Sequence, residues 1–369
     1  MADTPAATSD SRAPYKTINN HNLHKMSEIK IKIAAGTNVG LVRKNNEDNF
    51  VVCPDLSAPD WTIPQTSDAL DLGCFGSLLV VADGMGGANA GEVASAIAIE
   101  TVQQEFTKAK LIDIVEKEDD ILKFLESVIK TADLNIVEAA KGHDERAGMG
   151  TTIVMAWLIG QKAYVAWCGD SRCYVFNPNT GYARLSKDHS YVQELVDAGK
   201  LTEEQAFDHP MSNVITRCLG DSERRARPES RSYDVRNGDI ILLCSDGLCG
   251  LCHDNEIMAV ITEHGTDDLS SLKDALIQAA LEADGHDNVT VALGLIEGIK
   301  EEEATPTNEL SATATHTPKR HWLTWILCIL VLIAAAILFL YFFQRETFNA
   351  GLKYIMQTWQ QIVGQPSAK

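Results

Sequence analysis

Short apolar runs separated by turn residues constrain the fold of this chain more than any other feature. The runs are rich in Val, Leu and Ile, and Gly, Asp, Asn or Ser stands at their ends. This pattern is typical of strands in an antiparallel sheet. The clearest predicted strands are residues 78–82, 163–168, 240–244 and 289–296.

Two amphipathic helices interrupt the predicted strands. In each, apolar residues recur every three or four positions, so one face is expected to pack against a sheet. The first stripe consists of Ala94, Ile97, Ala98, Thr101, Val102 and Phe106, and the second of Ile121, Leu125, Val128, Ala132 and Ile136.

Aspartates border several of the apolar runs. Asp83 and Asp246 follow strands and each precedes a glycine, whereas Asp48 and Asp287 stand just before strands. Because the end of one antiparallel strand lies beside the start of its neighbour, we expect these carboxylates to gather at one edge of the sheet. Asp-Gly is also a common turn sequence, so four unrelated turn acids are the alternative.

Gathered carboxylates need a counter-charge. Like charges about 4 Å apart repel by roughly 1 to 4 kcal/mol per pair at surface-like dielectric constants. Oxygen ligands select hard divalent cations, Mg²⁺ or Mn²⁺, and the glycines after Asp83 and Asp246 let the backbone approach an ion. The acids therefore predict a divalent-metal site.

The charge balance argues against nucleic acid as a partner. Acidic residues outnumber basic ones 51 to 32, which gives a net charge of -19. Such a field repels phosphate backbones. A phosphorylated substrate would need local cations to offset it.

A long apolar stretch predicts a membrane anchor. Residues 322–343 contain no charge and are long enough to cross about 30 Å of hydrocarbon as a helix. A polar linker, 299–321, precedes this predicted transmembrane helix. The tail, 344–369, has apolar residues at helical spacing, which favours a helix lying on the membrane surface. Basic residues flank the stretch on both sides, so they do not set its orientation.

The N-terminal part of the sequence indicates a cytoplasmic catalytic domain. Residues 1–27 form a polar, flexible leader without the apolar core of a signal peptide, and residues 28–298 form the predicted domain. The 9 cysteines, an odd number, fit reduced thiols. For the pair Cys249 and Cys252, a structural zinc and a redox role stay open as minor alternatives.

Six ordered blocks resemble the PP2C (PPM) family of metal-dependent serine/threonine protein phosphatases, in its bacterial form. The resemblance covers about residues 28–298, and the blocks are GLVRKNNEDNF, VVADGMGGANAGEVAS, GMGTT, CGDSRCYVF, LLCSDGLCGL and GHDNVTVAL. It implies an α+β fold, a β-sandwich of two antiparallel sheets flanked by helix pairs. It also implies hydrolysis of phosphoserine and phosphothreonine by water activated between two Mn²⁺ or Mg²⁺ ions.

The resemblance assigns direct metal ligands to four positions. Asp83 would bridge two ions, and the Gly84 carbonyl would contact one of them. Asp246 and Asp287 would each bind an ion directly.

Further acids would act at the edge of this site. Glu47 and Asp48 would act mostly through metal-bound water, and Asn288 would support the neighbouring ligand. Asp170 would hold a third, weaker ion, although an ordinary turn acid is the competing interpretation.

The resemblance makes Arg43 the residue that grips the substrate phosphate, a task that suits a planar guanidinium. The alternative is a surface ion pair with Glu47, four residues along. Met85 stands where many eukaryotic members carry a histidine, so the proton donor to the leaving group stays unassigned. Residues 188–210 resemble a mobile flap, whose His189 and His209 are expected to face solvent.

Two other functions compete with catalysis. A regulatory domain of the same fold would lack metal acids, and none of the expected acids is missing. A membrane receptor would need a folded sensor beyond the span, and the tail is too short to bury its own core. The expected partners are phosphorylated proteins and a cognate serine/threonine kinase.

Overall fold

The computed structural model describes residues 29–59, 61, 69–86 and 90–299, together with Lys353 and Met356. The predicted leader and transmembrane helix lie outside the described residues, as do nearly all of the predicted linker and tail. One unit ends at Glu302, and a second runs over Glu303–Lys369. Within the described ranges, none of the helices combines the length and the apolar character that a bilayer crossing requires.

Thirteen strands occur in the described residues, and those of the two large sheets pair in antiparallel fashion. In chain order they are β1 (Lys30–Asn38), β2 (Asn49–Cys53), β3 (Leu70–Asp71), β4 (Ser77–Ala82), β5 (Gly84–Met85), β6 (Gly150–Thr151), β7 (Ile153–Ile159), β8 (Lys162–Cys168), β9 (Arg172–Asn177), β10 (Gly181–Arg184), β11 (Glu229–Asp234), β12 (Ile240–Cys244) and β13 (Val289–Glu297). One sheet has the order β10-β9-β12-β13-β1-β3 and the other β11-β8-β7-β4-β2. The short strands β5 and β6 pair with each other.

Helices cover both outer faces of this sandwich. In chain order they are α1 (Ala90–Glu105), α2 (Lys108–Ile114), α3 (Glu118–Ala140), α4 (Tyr191–Asp197), α5 (Glu203–Phe207), α6 (Asp246–Cys249), α7 (Asp254–His264) and α8 (Leu269–Glu282), with a 3-10 turn at Asp144–Arg146. Both predicted stripes lie on helices, the first on α1 and the second on α3.

Three apolar clusters hold the layers together. The first lies between the two sheets, the second between the β7 sheet and helices α1 and α3, and the third between the β12 sheet and helices α7 and α8. In the second cluster, Phe106 packs edge-on against Phe124 and Trp157, each at 5.1 Å between ring centroids. The predicted sandwich of two antiparallel sheets flanked by helices is therefore confirmed.

The strand register brings the predicted acids to one edge. Asn49 pairs with Ala82, so Asp48, just before β2, and Asp83, just after β4, lie at the same end of this strand pair. Cys244 pairs with Val291, which places the end of β12 beside the start of β13. The ends of two strands and the starts of two others thus meet, as antiparallel pairing requires.

Candidate active site

Two threonines fix the backbone of Asp83, which lies between β4 and β5. The Asp83 carbonyl accepts hydrogen bonds from Thr152 N at 2.8 Å and from Thr151 Oγ1 at 2.8 Å. The Asp83 amide donates to Thr152 Oγ1 at 3.2 Å, and that hydroxyl lies 2.7 Å from Ser171 Oγ. Sequence reasoning quoted GMGTT only as part of the family pattern, and it missed this positioning role.

Gly84 lies where no other residue fits. A β-carbon added there would stand 2.3 Å from the carbonyl oxygen of Gly91 and 2.4 Å from that of Glu47. The chain after Asp83 is thereby packed directly against α1 and the loop before β2. A larger residue would push the Asp83 backbone away from these neighbours.

Asp48 is a buried carboxylate held by two hydroxyl groups. Its Oδ2 accepts hydrogen bonds from Ser245 Oγ at 2.8 Å and from Thr290 Oγ1 at 2.6 Å. Burial raises the pKa of Asp48 to about 7, although these two hydrogen bonds act in the opposite direction. Because Thr290 donates to Asp48, the Thr37 hydroxyl at 2.7 Å must be the donor to Thr290.

Asp83 and Asp246 lie close enough for each carboxyl group to affect the pKa of the other. Burial and the neighbouring carboxylates of Asp246 and Asp48 raise the pKa of Asp83 well above its usual value. Burial also raises the pKa of Asp246. This pair therefore favours any species that brings positive charge between the two groups.

Arg43 binds Asp287 and not the predicted alternative partner, Glu47. Its Nη2 donates to Asp287 Oδ2 at 2.8 Å, and 52% of the Arg43 side chain stays exposed. Burial raises the pKa of Glu47, and the charge of Arg43 opposes this shift. The guanidinium is thus anchored at the acidic edge with part of its surface open to solvent.

Asn288 joins the loop before β2 to the start of β13. Its Oδ1 accepts from Glu47 N at 2.8 Å, and its Nδ2 donates to the carbonyls of Val39 at 2.9 Å and Asn45 at 3.0 Å. Its own amide donates to Asp287 Oδ1 at 2.8 Å. The predicted supporting residue therefore contacts both Asp287 and the loop that presents Arg43.

Asp170 lies in a tight turn between β8 and β9. Burial, Asp246 and Asp188 raise its pKa well above the usual value, while Arg172 opposes them. The preceding Gly169 has a φ of +125°, and an added β-carbon would stand 2.5 Å from Thr152 Cβ. The turn is thereby packed against the same threonine that positions Asp83.

The expectation that His189 faces solvent is wrong. Its side chain is buried, stacks on Trp167 with 6.2 Å between ring centroids, and accepts a hydrogen bond from Gly169 N at Nδ1 across 3.1 Å. Burial lowers the pKa of His189, so the neutral ring is favoured. Sequence polarity suggested exposure, but this ring is packed under the Asp170 turn. His209 is partly exposed, and its Nδ1 accepts from Met211 N at 3.1 Å.

A cavity of about 830 Å³ opens beside the acidic edge. Asp170, Asp246 and Asp287 contribute to its wall, and the segment predicted as a flap, which contains α4 and α5, lines another side. The Phe207 ring at the end of α5 stacks on His253 with 3.7 Å between ring centroids. The flap is thus held against the residues that follow α6.

Arg172 ties the first residues of the flap to the rest of the domain. Its guanidinium binds Asp188 at 2.7 Å, Asp254 at 3.2 Å and the Tyr174 hydroxyl at 3.1 Å. Because the arginine side chain is largely buried, these charges are screened little by water. The start of the flap, at Asp188, is therefore held in place by Arg172.

The cysteines do not form a metal or disulfide site in the described residues. No disulfide joins them, and both Cys249 and Cys252 are buried. Burial raises the pKa of Cys252 to about 11 and that of Cys168 to about 12, so neutral thiols are favoured. These observations give no support to a zinc at Cys249 and Cys252, and the expectation of reduced thiols stays a prediction.

The donor set at the edge suits a hard divalent cation. Among the described residues, no three His, Cys, Asp or Glu side chains form a ready-made metal-binding group. The carboxyl groups of Asp83 and Asp246 are neighbours, and that of Asp287 is paired with Arg43. Their chemistry still fits Mg²⁺ or Mn²⁺, because all of the side-chain donors are oxygens and several carboxylates share one partly buried edge. A cation at this edge would offset the repulsion between neighbouring carboxylates, which raises the pKa of Asp83.

Comparison with known proteins agrees with this geometry. The family model described as Protein phosphatase 2C matches residues 68–283. The serine/threonine phosphatase stp of Listeria monocytogenes is 33% identical over 257 residues, which cover 70% of this chain and 92% of that protein. The serine/threonine protein phosphatase PstP of Mycobacterium tuberculosis is 31% identical over 263 residues, 71% of this chain and 44% of that protein.

Solved structures of similar proteins share the fold. A serine/threonine phosphatase of S. agalactiae superposes with a TM-score of 0.61 at 30% identity, over 72% of this chain and 99% of that one. The catalytic domain of PstP in complex with 2 manganese ions gives a TM-score of 0.57 at 30% identity, over 73% of this chain and 99% of that one. The predicted enzyme class is confirmed, and the chain belongs to the protein phosphatase 2C family.

Proposed function

We propose that this chain hydrolyses phosphoserine and phosphothreonine in protein substrates with the help of two divalent cations, Mn²⁺ or Mg²⁺. The observation that carries the proposal is the meeting of Asp83, Asp246 and Asp287 at one sheet edge, with Arg43 bound to the last of them. The names of the similar bacterial enzymes and the manganese complex of one of them support it.

Four groups would hold the two cations. They are the carboxylates of Asp83, Asp246 and Asp287 and the carbonyl of Gly84, with Glu47 and Asp48 behind them and Asp170 available for a third ion. When bound, the cations would activate a water molecule for attack on phosphorus and neutralise charge on the phosphoryl oxygens.

Arg43 would position the phosphoryl group. Its contact with Asp287 leaves other N–H groups of the guanidinium fork free to donate to two phosphoryl oxygens. Asn288 holds the loop that presents Arg43, so the fork is aimed before the substrate arrives. Met85 cannot donate a proton, so the leaving oxygen would receive its proton from another group or from water.

The activity is tested with the purified full-length chain and a phosphothreonine peptide. We expect phosphate release that stops after exhaustive chelation and returns with Mn²⁺ or Mg²⁺. Cation binding is measured separately by calorimetry on the chelated protein. Phosphate release that continues at the original rate after chelation would contradict the two-cation mechanism.

A membrane anchor is the second part of the proposal. The uncharged stretch 322–343 supports a single transmembrane helix, and the 9 cysteines support a catalytic domain in the reducing cytoplasm. Two reporters are fused in turn after Lys369, one active only in the cytoplasm and one active only on the far side of the membrane. We expect activity from the second reporter alone, and activity from the cytoplasmic reporter would exclude this topology.

A cognate serine/threonine kinase is the expected partner, because the reaction consumes the product of such a kinase. Comparison of phosphopeptides in cells with and without this chain would identify the shared substrates. Phosphoserine and phosphothreonine peptides should accumulate when the chain is removed. An unchanged set would argue against the proposed role.

A further inference from the structure

The loop between β1 and β2 exposes two large apolar side chains next to the phosphate-binding arginine. Leu41 is 68% exposed and Val42 is 67% exposed, the highest values of any large apolar residue in the described ranges. Such side chains usually pack inside a domain, and a pair at consecutive positions beside a binding site commonly marks a contact surface. We call Leu41 and Val42 the apolar lip.

The backbone beneath the lip is fixed. Leu41 N donates to the Gly285 carbonyl at 2.7 Å, and Gly40 N donates to Asn38 Oδ1 at 2.9 Å. Gly40 has a φ of +80°, and an added β-carbon would stand 2.1 Å from the Asp287 carbonyl oxygen. The loop is therefore packed against residues 285–287, and the Leu41 side chain lies beside Gly285, while most of both apolar side chains stays exposed.

The lip also lies within reach of the substrate phosphate. Arg43 directly follows Val42, and its guanidinium contacts Asp287 at 2.8 Å. One residue spans at most about 3.6 Å of extended chain, so the lip lies within roughly two residue lengths of the arginine backbone. The residues that flank a phosphate held by Arg43 are therefore close enough to contact the lip.

We propose that the apolar lip binds the substrate polypeptide next to its phosphorylated residue and favours an apolar side chain there. This inference rests on the proposed function and names a substrate class for it. The occupant follows from complementarity: in a chain of net charge -19, two apolar side chains stand directly beside the cations Arg43 and Lys44. An anionic phosphoryl group with an apolar neighbour matches both halves of this surface.

The test compares two phosphothreonine peptides on the full-length chain. They differ only in carrying Leu or Ser at the positions two before and two after the phosphothreonine. We expect wild-type kcat/KM to be roughly tenfold higher for the leucine peptide, as a result of a lower KM. Partial burial of one leucine side chain contributes enough binding free energy for a factor of about ten. In the double variant Leu41→Ser/Val42→Ser the ratio should fall to about one.

Leu134→Ser provides a matched control. Leu134 is 58% exposed on α3, which packs against the outer face of the β7 sheet, and its replacement should leave the tenfold preference intact. Thermal melting of both variants reports on folding, which should be retained because the replaced side chains are exposed.

Three outcomes would decide against the lip. They are a wild-type enzyme that hydrolyses both peptides equally well, a double variant that keeps the preference, and a control variant that loses it. A wild-type chain that hydrolyses neither peptide and does not hydrolyse p-nitrophenyl phosphate would contradict the proposed function itself, and the proposal for the lip would then fail with it.

Discussion

Ser245 donates a hydrogen bond to Asp48 across 2.8 Å, although the two residues are 197 positions apart in the chain. Ser245 directly precedes Asp246, so the contact joins the start of β2 to the end of β12. Two acids from distant parts of the sequence thereby have a fixed relationship before any ligand arrives. The backbone of Thr290 completes the arrangement by donating to the Ser245 hydroxyl at 3.0 Å.

The buried Asp48 predicts a pH dependence of the chelated protein. Its pKa is about 7 in the folded chain, above the value near 3.9 of an unfolded Asp, so between these values the folded state holds the extra proton. The free energy of unfolding should therefore fall as pH rises from about 4 to about 7, with a slope approaching 1.4 kcal/mol per pH unit from this group.

Urea unfolding of the chelated protein at pH 5 and pH 7.5 measures this slope. Asp48→Asn is the reference variant, because its amide cannot titrate in this interval. The wild-type chain should lose more stability than the variant on going to the higher pH. Identical slopes for the two proteins would show that Asp48 is not the titrating group.

Replacement of Asp83 and of Asp170 should separate two kinds of metal site. Asp83→Asn should abolish turnover, because a neutral amide would balance two cations less well than the carboxylate that we propose to hold them. Asp170→Ala should slow phosphopeptide hydrolysis by a large factor while two ions still bind, as counted by calorimetry. Wild-type turnover in Asp170→Ala would favour an ordinary turn acid, and loss of all metal would make Asp170 a primary ligand.

Thr152→Val should displace Asp83 without touching its side chain. The change removes the hydroxyl that accepts from the Asp83 amide, so both this amide and the Ser171 hydroxyl lose a hydrogen-bond partner. The loss should lower the free energy of unfolding by about 1 to 3 kcal/mol. We expect weaker Mn²⁺ binding by calorimetry and a lower melting temperature. Thr152→Ser keeps the hydroxyl and should stay close to wild type in metal affinity. Equal metal affinity in the Val and Ser variants would exclude the positioning role.

Arg43→Ala should raise KM for phosphopeptides by roughly tenfold or more, since it would remove the charge-assisted contact that we propose to the phosphate. Stability should change by less than about 1 kcal/mol, because the ion pair with Asp287 is half exposed. Lys130→Ala is the control, since this lysine is 53% exposed and pairs with Glu126 on α3. Steady-state kinetics and urea unfolding give both quantities. A KM unchanged in Arg43→Ala would remove the arginine from the phosphate site.

The stack of Phe207 on His253 should control the flap. Phe207→Ala removes the ring contact that joins α5 to the residues after α6. Amide hydrogen exchange over residues 202–214 should then speed up several-fold, because local opening loses a stabilising contact of about 0.5 to 1.5 kcal/mol. Exchange in α8, on the outer face of the domain, serves as the internal reference. Unchanged exchange in the flap would mean that other contacts close it.

The edge of acids could be predicted from the sequence because strand starts and ends alternate along an antiparallel sheet. Asp48 and Asp83 each border an apolar run, and their neighbours Asn49 and Ala82 pair across the strands. The two helical stripes were equally readable, since their residues face the core at the expected spacing. In both cases a local pattern was sufficient.

Contacts between distant positions could not be predicted in the same way. Arg43 pairs with Asp287, 244 positions away, because the loop carrying Arg43 is folded onto residues 285–287. The local pattern offered only Glu47 as a partner. His189 is a polar residue in a charged segment, and nothing near it in the sequence indicates that Gly169 and Trp167 enclose its ring. Such burial depends on how the segment after β10 folds back onto β8 and the turn that follows it.

The three hydrogen bonds that the Asn288 side chain forms limit how the sequence of this loop can change among related enzymes. They fasten the loop at Val39, Asn45 and Glu47, so the number of residues between these points is fixed. An insertion or deletion there would break at least one of them, whereas a change of an outward side chain would break none. Relatives with a different substrate preference should therefore differ in residue type at positions 41 and 42 while the loop keeps the same length.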